Sequence, residues 1–164
     1  MKIKRVIYTS SLAAFVDDEG IEEILNQARH NNKVAGITGI LILGEDQLIQ
    51  CLESLAPSID VLIDKISADP RHLAMKVVFE EDNVDRLFGE WSMGCVPVSD
   101  AEMAARLGEA GVLNAKDVSR KLATDSSLAM TFISGFVDVL SGSEVSIPQY
   151  LGHRQEPVNK VFHY

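Results

Sequence analysis

The sequence predicts an α+β fold in which one sheet is covered by helices on both faces. Two patterns predict it. Over residues 1–98, short β-branched runs alternate with two amphipathic helical stretches, and beyond Ser99 helical patterning continues without further strands. The order β-α-β-β-α-β-β is that of a ferredoxin-like split βαβ sandwich with one added strand. A sheet with helices on one face alone would leave its other apolar face wet, so two C-terminal helices are expected to pack there.

The first strand reads Ile3 to Ser10. A helix follows from about Asp18, with acidic residues in its first turn and Ile21, Ile24, Leu25 and Ala28 as its apolar stripe. Gly36 to Gly44, GITGILILG, is an apolar β-branched run, and Gly44-Glu45-Asp46 turns it into QLIQCLE, which makes a β-hairpin. Pro57 suits the first turn of a second helix whose inner face is Ile59, Leu62, Ile63 and Ile66, stopped by Asp69-Pro70. Ala74 to Glu80 supplies a fourth strand and WSMGCVPV, Trp91 to Val98, a fifth.

Ser99-Asp100-Ala101-Glu102 has the form of a capping box and starts a third helix. A fourth is expected from about Ala115 to Leu140, where Leu128, Phe132, Phe136 and Leu140 recur every fourth residue; from Ser141, with Pro148 and Pro157, the chain reads as an irregular tail. The expected division is therefore a domain over 1–98 and a helical extension with tail over 99–164. No repeat or low-complexity segment interrupts it.

Composition narrows the function. With 164 residues the chain has the size of one domain, and no apolar run approaches the roughly 20 residues that span a bilayer. The N-terminus MKIKRVIYTSS lacks a signal peptide's long apolar segment, so a soluble cytoplasmic protein is expected. A formal net charge of −9 repels a polyanion and argues against direct nucleic-acid binding. Cys51 and Cys95 have neither metal-ligand spacing nor the look of a disulfide framework, and read as buried thiols.

Several polar side chains stand where core residues belong. Alternation in QLIQCLE puts Gln50 between Leu48 and Leu52 on a face that should be buried, so its amide needs a partner. Val6 and Tyr8 share a face of the first strand, and Trp91, Met93 and Cys95 one of the fifth. Asn32 falls on the inner stripe of the first helix, beyond Leu25 and Ala28, and Asn31 follows Ile24 by the same spacing. Singly, each has an ordinary reading: an edge-strand Gln, a core Tyr, a helix stop at Asn-Asn. Together they ask for a planar ligand with a polar edge, because a buried amide without partners costs about 1–3 kcal/mol. A flavin's pyrimidine end, with two carbonyls, an N–H and an imine nitrogen, matches Asn and Gln amides, which each donate and accept.

The segments RVIYTS, RHNNKVAGITGILIL, LIQCLES, ADPRH and FGEWSMG resemble, in that order, the blocks of BLUF domains, the blue-light sensors that use FAD. The resemblance covers about the first 98 residues, with Tyr8, Asn32, Gln50, Trp91 and Met93 in five separate blocks. It implies a non-covalent flavin, usually FAD with FMN or riboflavin as alternatives, held between the first two helices, with Asn31 and Asn32 anchoring the pyrimidine edge and Tyr8 and Gln50 facing it. It implies further that excitation draws an electron and a proton from Tyr8, and that their return leaves Gln50 rotated or tautomerised. The flavin is oxidised in both states, and a new hydrogen bond to its carbonyl shifts absorption to the red. Trp91 and Met93 would carry the change to the C-terminal helices; which of the two faces inward is left open.

Lys65 stands where the family often has arginine, Leu48 where an aromatic is common, and Ser54 where glycine usually follows Leu-Glu. Lys65 and Arg29 are the leading candidates for the flavin's phosphates, with His30 and Arg71 behind them. The expected function is a photoreceptor, not an enzyme, that signals to a separate effector protein through the C-terminal helices and forms a homo-oligomer. A small flavin reductase is the main rival, although Gly36 and Gly39 form only G-x-x-G and not a dinucleotide fingerprint. A LOV-type sensor would need a cysteine beside the flavin, and strand parity turns Cys51 away from Gln50. A cofactor-free ferredoxin-like module is the third reading.

Overall fold

Strands that are apolar at nearly every position need cover on both faces. All eight residues of Gln47–Ser54 are buried, and the sheet around them is covered on both sides. The computed structural model describes residues 1–89 and 91–137; the expected positions of Leu140, Pro148 and Pro157 lie outside the described residues. Ten elements follow in order: β1 Ile3–Leu12, α1 Asp18–Ala35, β2 Thr38–Leu43, β3 Gln47–Ser54, α2 Ala56–Ala68, β4 His72–Val84, β5 Gly94–Pro97, α3 Asp100–Leu107, α4 Ala115–Thr124 and α5 Ser127–Ser134. The sheet runs β4-β1-β3-β2-β5, antiparallel throughout except that β5 lies parallel to β2. This is the expected α+β, ferredoxin-like sandwich.

Parity sorts the strand residues into two cores. Val6, Tyr8, Leu41, Leu48 and Leu52 pack under Ile21 and Leu25 of α1 and Ile59 of α2. Ile7, Ile40, Ile42, Ile49 and Cys51 face the other way and meet Met103, Val118, Leu122, Phe132 and Ile133 of the C-terminal helices. The extension beyond Ser99 thus completes the second face of the same sheet.

Local chemistry sets the helix ends. Asp17 caps α1 by accepting from Gly20 N–H at 3.0 Å, and Gly36 ends it at φ 64°, a left-handed turn glycine takes without steric cost. Ser99 caps α3 through Glu102 N–H at 3.1 Å. Gly39 has a different reason: a Cβ there would stand 2.1 Å from the Cys51 carbonyl oxygen of β3.

Two expectations need correction. The single helix expected over Ala115 to Leu140 is two helices, because Asp125 leaves helical geometry at φ −137° and turns its carboxylate onto Ser127 N–H at 3.2 Å. A short polar side chain that bonds its neighbouring backbone competes with the helix. The fifth strand begins at Gly94 and not Trp91, because the backbone of residues 91–92 is spent elsewhere: Trp91 C=O accepts from Gly39 N–H at 3.0 Å and Ser92 C=O from the Asn32 side chain. Outside a strand, parity fails. Trp91 packs with Phe88 against the C-terminal core, while Met93 and Cys95 lie in the core under α1 and α2.

The connection from β4 to β5 has to pass from one edge of the sheet to the other, and buried charge holds it. Glu53, 0% exposed, accepts from Arg5 Nε at 2.7 Å, from Leu87 N–H at 2.9 Å and from Phe88 N–H at 2.9 Å. Arg5 also donates to the Asp85 carbonyl at 2.8 Å. Arg86 donates to Thr38 Oγ1 at 2.6 Å and to the Glu53 and Gly36 carbonyls at 3.1 Å each.

Because Leu122 is fully buried between α4 and the sheet whereas Leu113 is exposed, Leu122→Ala should cost about 3 kcal/mol and Leu113→Ala less than about 0.5 kcal/mol in urea unfolding of the whole chain.

Candidate functional site

Between α1 and α2 runs a cleft of three connected lobes. The outer lobe, about 350 Å³, is lined by Asn31, Asn32, Ile37, Val61, Leu62 and Lys65 among others. The middle lobe, about 160 Å³, shares Asn31, Asn32, Leu62 and Lys65 with it and adds Asp69, Arg71 and His72. A narrow inner lobe of about 50 Å³ reaches the sheet, where Tyr8, Gln50 and Met93 close it behind walls of Ile21, Ile24, Leu25, Leu41 and Ile66. The cleft is apolar along its sides and polar at its closed end, a common form for small-molecule sites.

The closed end follows from strand register. Tyr8 and Gln50 are direct partners across β1 and β3, so their side chains leave the sheet together on the same face. The Tyr8 hydroxyl donates to Gln50 Oε1, and Gln50 Nε2 donates to Met93 Sδ at 2.9 Å. Burial, with a smaller contribution from the charge of Asp69, pushes the Tyr8 pKa up, so the phenol keeps its proton and remains a donor. Asn32, 1% exposed, gives its Nδ2 to the Ser92 carbonyl at 3.0 Å while its Oδ1 is buried without a protein partner.

Residues 3–94, more than half of the chain, match the family described as sensors of blue light using FAD, BLUF. The chain belongs to the BLUF family. Photoactivated adenylate cyclase subunit alpha of Euglena gracilis is 30% identical over 94 residues, which are 56% of this BLUF chain but only 9% of that protein. Among solved structures, the BLUF protein BlrB in its dark state superposes with a TM-score of 0.67 at 27% identity, covering 85% of this chain and 98% of that one. BlsA in its photo-activated state shares the fold, with a TM-score of 0.71 at 23% identity over 88% of this chain and 98% of its own.

The BLUF chain brings together most of the residues singled out in its sequence. Tyr8, Asn31, Asn32, Gln50, Met93 and Lys65 all line the cleft. Met93 is the inward residue, and Trp91 lies on the opposite side of the sheet. Arg29 is absent from the lining; it bonds to Asn26 at 3.3 Å, and its charge is felt at the Cys95 thiol, which burial pushes up to about 12. Arg71 sits at the cleft's edge but is engaged by Asp69 at 2.6 Å and Gln27 at 3.0 Å. His30 is exposed and lines no lobe. Among the described residues no helix is long and apolar enough to cross a membrane.

His72 and Ser92 were not singled out. His72 lines the inner and middle lobes, stands edge-on to Tyr8 with ring centroids 6.3 Å apart, and shares a 3.0 Å hydrogen bond with Ser10 Oγ. Its place in ADPRH after the helix stop was visible; its return to the cleft depends on the pairing of Leu12 with His72 across β1 and β4. Ser92 acts through its carbonyl, which no side-chain pattern reveals.

Burial lowers the His72 pKa below its ordinary 6.5, against the opposing pull of Asp69. Above 6.5 the imidazole is neutral folded and unfolded, and stability is independent of it; as pH falls below 6.5 the unfolded chain takes the proton first and stability drops. Urea midpoints of wild type and His72→Gln, compared from about pH 7.5 down to about pH 5, should show a shallower acid decline in the variant.

Proposed function

We propose that this chain is a blue-light receptor whose cleft between α1 and α2 binds FAD without a covalent bond, and whose signal is a rearrangement of the Tyr8-Gln50-Met93 hydrogen bonds. The observation that carries the reading is the Gln50 carboxamide, held at the closed end of an apolar cleft between a strong donor and a weak acceptor. A flavin supplies blue-light absorption and one-electron redox chemistry when bound.

The residues present fit a flat ring with one polar edge. Asn32 Oδ1 is a buried acceptor in want of a donor, such as a ring N–H, and Asn31 lines the same lobes. Ile24, Leu25, Leu62 and Ile66 make apolar walls on either side. Lys65 is the cation beside the outer lobe and is the proposed contact for the phosphates; Arg29, on the side of α1 toward Cys95, is the second candidate and would have to reorient.

Gln50 is suited to switching for a reason of hydrogen-bond strength. Its Oε1 takes a proton donor, the phenol, while its Nε2 rests on a thioether, a weak acceptor. Turning the amide over loses little on the methionine side, and on the tyrosine side the phenol oxygen can accept from the NH₂ in place of donating, so a second arrangement is within reach. Tyr8 holds the proton that moves, and Gln50 exchanges which of its ends, the accepting oxygen or the donating NH₂, faces the ring edge. A hydrogen bond given by Gln50 to the carbonyl of a bound ring would lower the ring's excited state more than its ground state, and would read out as a red shift. The signal ends in hydrogen bonds, so no substrate is consumed.

Residues 1–98 are proposed as the light-sensing unit and 99–164 as the output extension. In the Euglena relative the matched stretch accompanies an adenylate cyclase; here the change is proposed to pass through β5 and the helices α3 to α5 to a separate protein, or through a change in assembly of a homo-oligomer.

The purified protein should be yellow, and blue light should shift its flavin band to the red, reversibly in darkness. Bleaching of the band would instead favour a flavin reductase, and a protein that stays colourless after loading would favour a cofactor-free module. Tyr8→Phe and Gln50→Leu should each retain flavin and lose the shift, whereas a normal photocycle in Gln50→Leu would overturn the mechanism. Asn32→Ala should weaken flavin binding by about tenfold in equilibrium dialysis, as expected for the loss of one buried hydrogen bond.

A further inference from the structure

The crossover from β4 to β5 is fastened at two places to the same strand. Gln50 and Glu53 are three residues apart on β3 and so point to opposite faces. On the face away from the cleft, Glu53 takes the backbone N–H groups of Leu87 and Phe88, with Arg5 neutralising its charge. On the cleft face, Gln50 takes Met93. Several of the described residues between these points are held in place. Phe88 is 0% exposed, its carbonyl accepts from Trp91 N–H at 3.2 Å, and Trp91 C=O is bound to Gly39 of β2. Ser92 C=O and Met93 Sδ are then delivered to Asn32 and Gln50.

We propose that Glu53 is a positioning residue for the photoswitch, locking the start of the β4–β5 crossover so that Ser92 and Met93 meet Asn32 and Gln50 in the dark state. The proposal rests on the light-sensor reading above. A carboxylate suits the task because both its oxygens accept: three donors, two of them backbone N–H groups, converge on one buried group and fix it in position. Arg86 holds the neighbouring residue from the other side, on Thr38 and on the carbonyls of Gly36 and Glu53, which ties the crossover to the end of α1 that carries Asn32. With these contacts loosened, residues 91–93 have more conformations to lose on each return to the dark arrangement, and return becomes slower.

The test uses the full chain loaded with FAD. In Glu53→Gln the amide must turn its NH₂ toward at least one of the donors it replaces an acceptor for, so one contact is lost while size is kept. Dark recovery followed at the flavin band should slow about tenfold, and so should that of Arg86→Ala, though less, with flavin content unchanged. Trp91 is the only tryptophan, so its fluorescence reports this segment alone, and its light-induced change should be altered in both variants. The exposed pair Arg120–Asp117 on α4 provides the control: Arg120→Ala should recover as wild type does. Wild-type recovery and fluorescence in both variants would overturn the proposal, and in Arg86→Ala alone if Glu53→Gln does not fold. A wild-type protein that binds FAD without any red shift would overturn the light-sensor reading itself and this proposal with it.

Discussion

A carboxamide buried inside a sheet that is apolar on both faces has to be hydrogen bonded, and at Gln50 the available partners differ in strength. That inequality organises the molecule. The phenol of Tyr8 is supplied by direct cross-strand pairing, and the weak acceptor, Met93, by a segment that must travel from the far edge of the sheet to arrive there. Were Met93 replaced in that position by a strong acceptor, the amide's present arrangement would be held more strongly.

The two faces of the sheet divide the labour. Even-numbered residues of β3 look into the cleft between α1 and α2, and odd-numbered residues look toward α3, α4 and α5. A change at the cleft can be felt on the other face only through backbone that serves both, and the strands β3 and β5 with the crossover before β5 are such backbone. Trp91 and Met93 show it in miniature: two residues apart, one packs with Phe88 on the helical side and the other holds Gln50 on the cleft side. A packed interior resists gradual deformation, and in the proposed switch a shift at residues 91–93 would pass to its neighbours as a step between arrangements.

Much of this was legible in the sequence because it is periodic. The alternation of QLIQCLE placed Gln50 on the buried face, and the helical spacing of Asn32 placed it on the inner stripe of α1. Where periodicity ended, so did legibility. Strand alternation sets Trp91 on the face of Met93, although the strand starts at Gly94, and helical spacing runs through Asp125, whose side chain bonds the backbone that a helix would need. Glu53 is the sharpest case. Its carboxylate lies on an otherwise apolar face, and its partners lie 48 residues before and 34 and 35 residues after it, so only the folded chain brings them to one place.

The sequence by itself determined most of the elements, which of their faces are apolar, the family and the identities of Tyr8, Gln50 and Asn32 at the cleft, because each depends on residue type and short-range spacing. Tertiary structure alone decided that Met93 and not Trp91 turns to Gln50, that His72 and the Ser92 carbonyl join the site, that Arg29 stands apart from it, and that Glu53 anchors the crossover. Those outcomes depend on strand order and on how an irregular connection satisfies its backbone hydrogen bonds, and neither has a period to read.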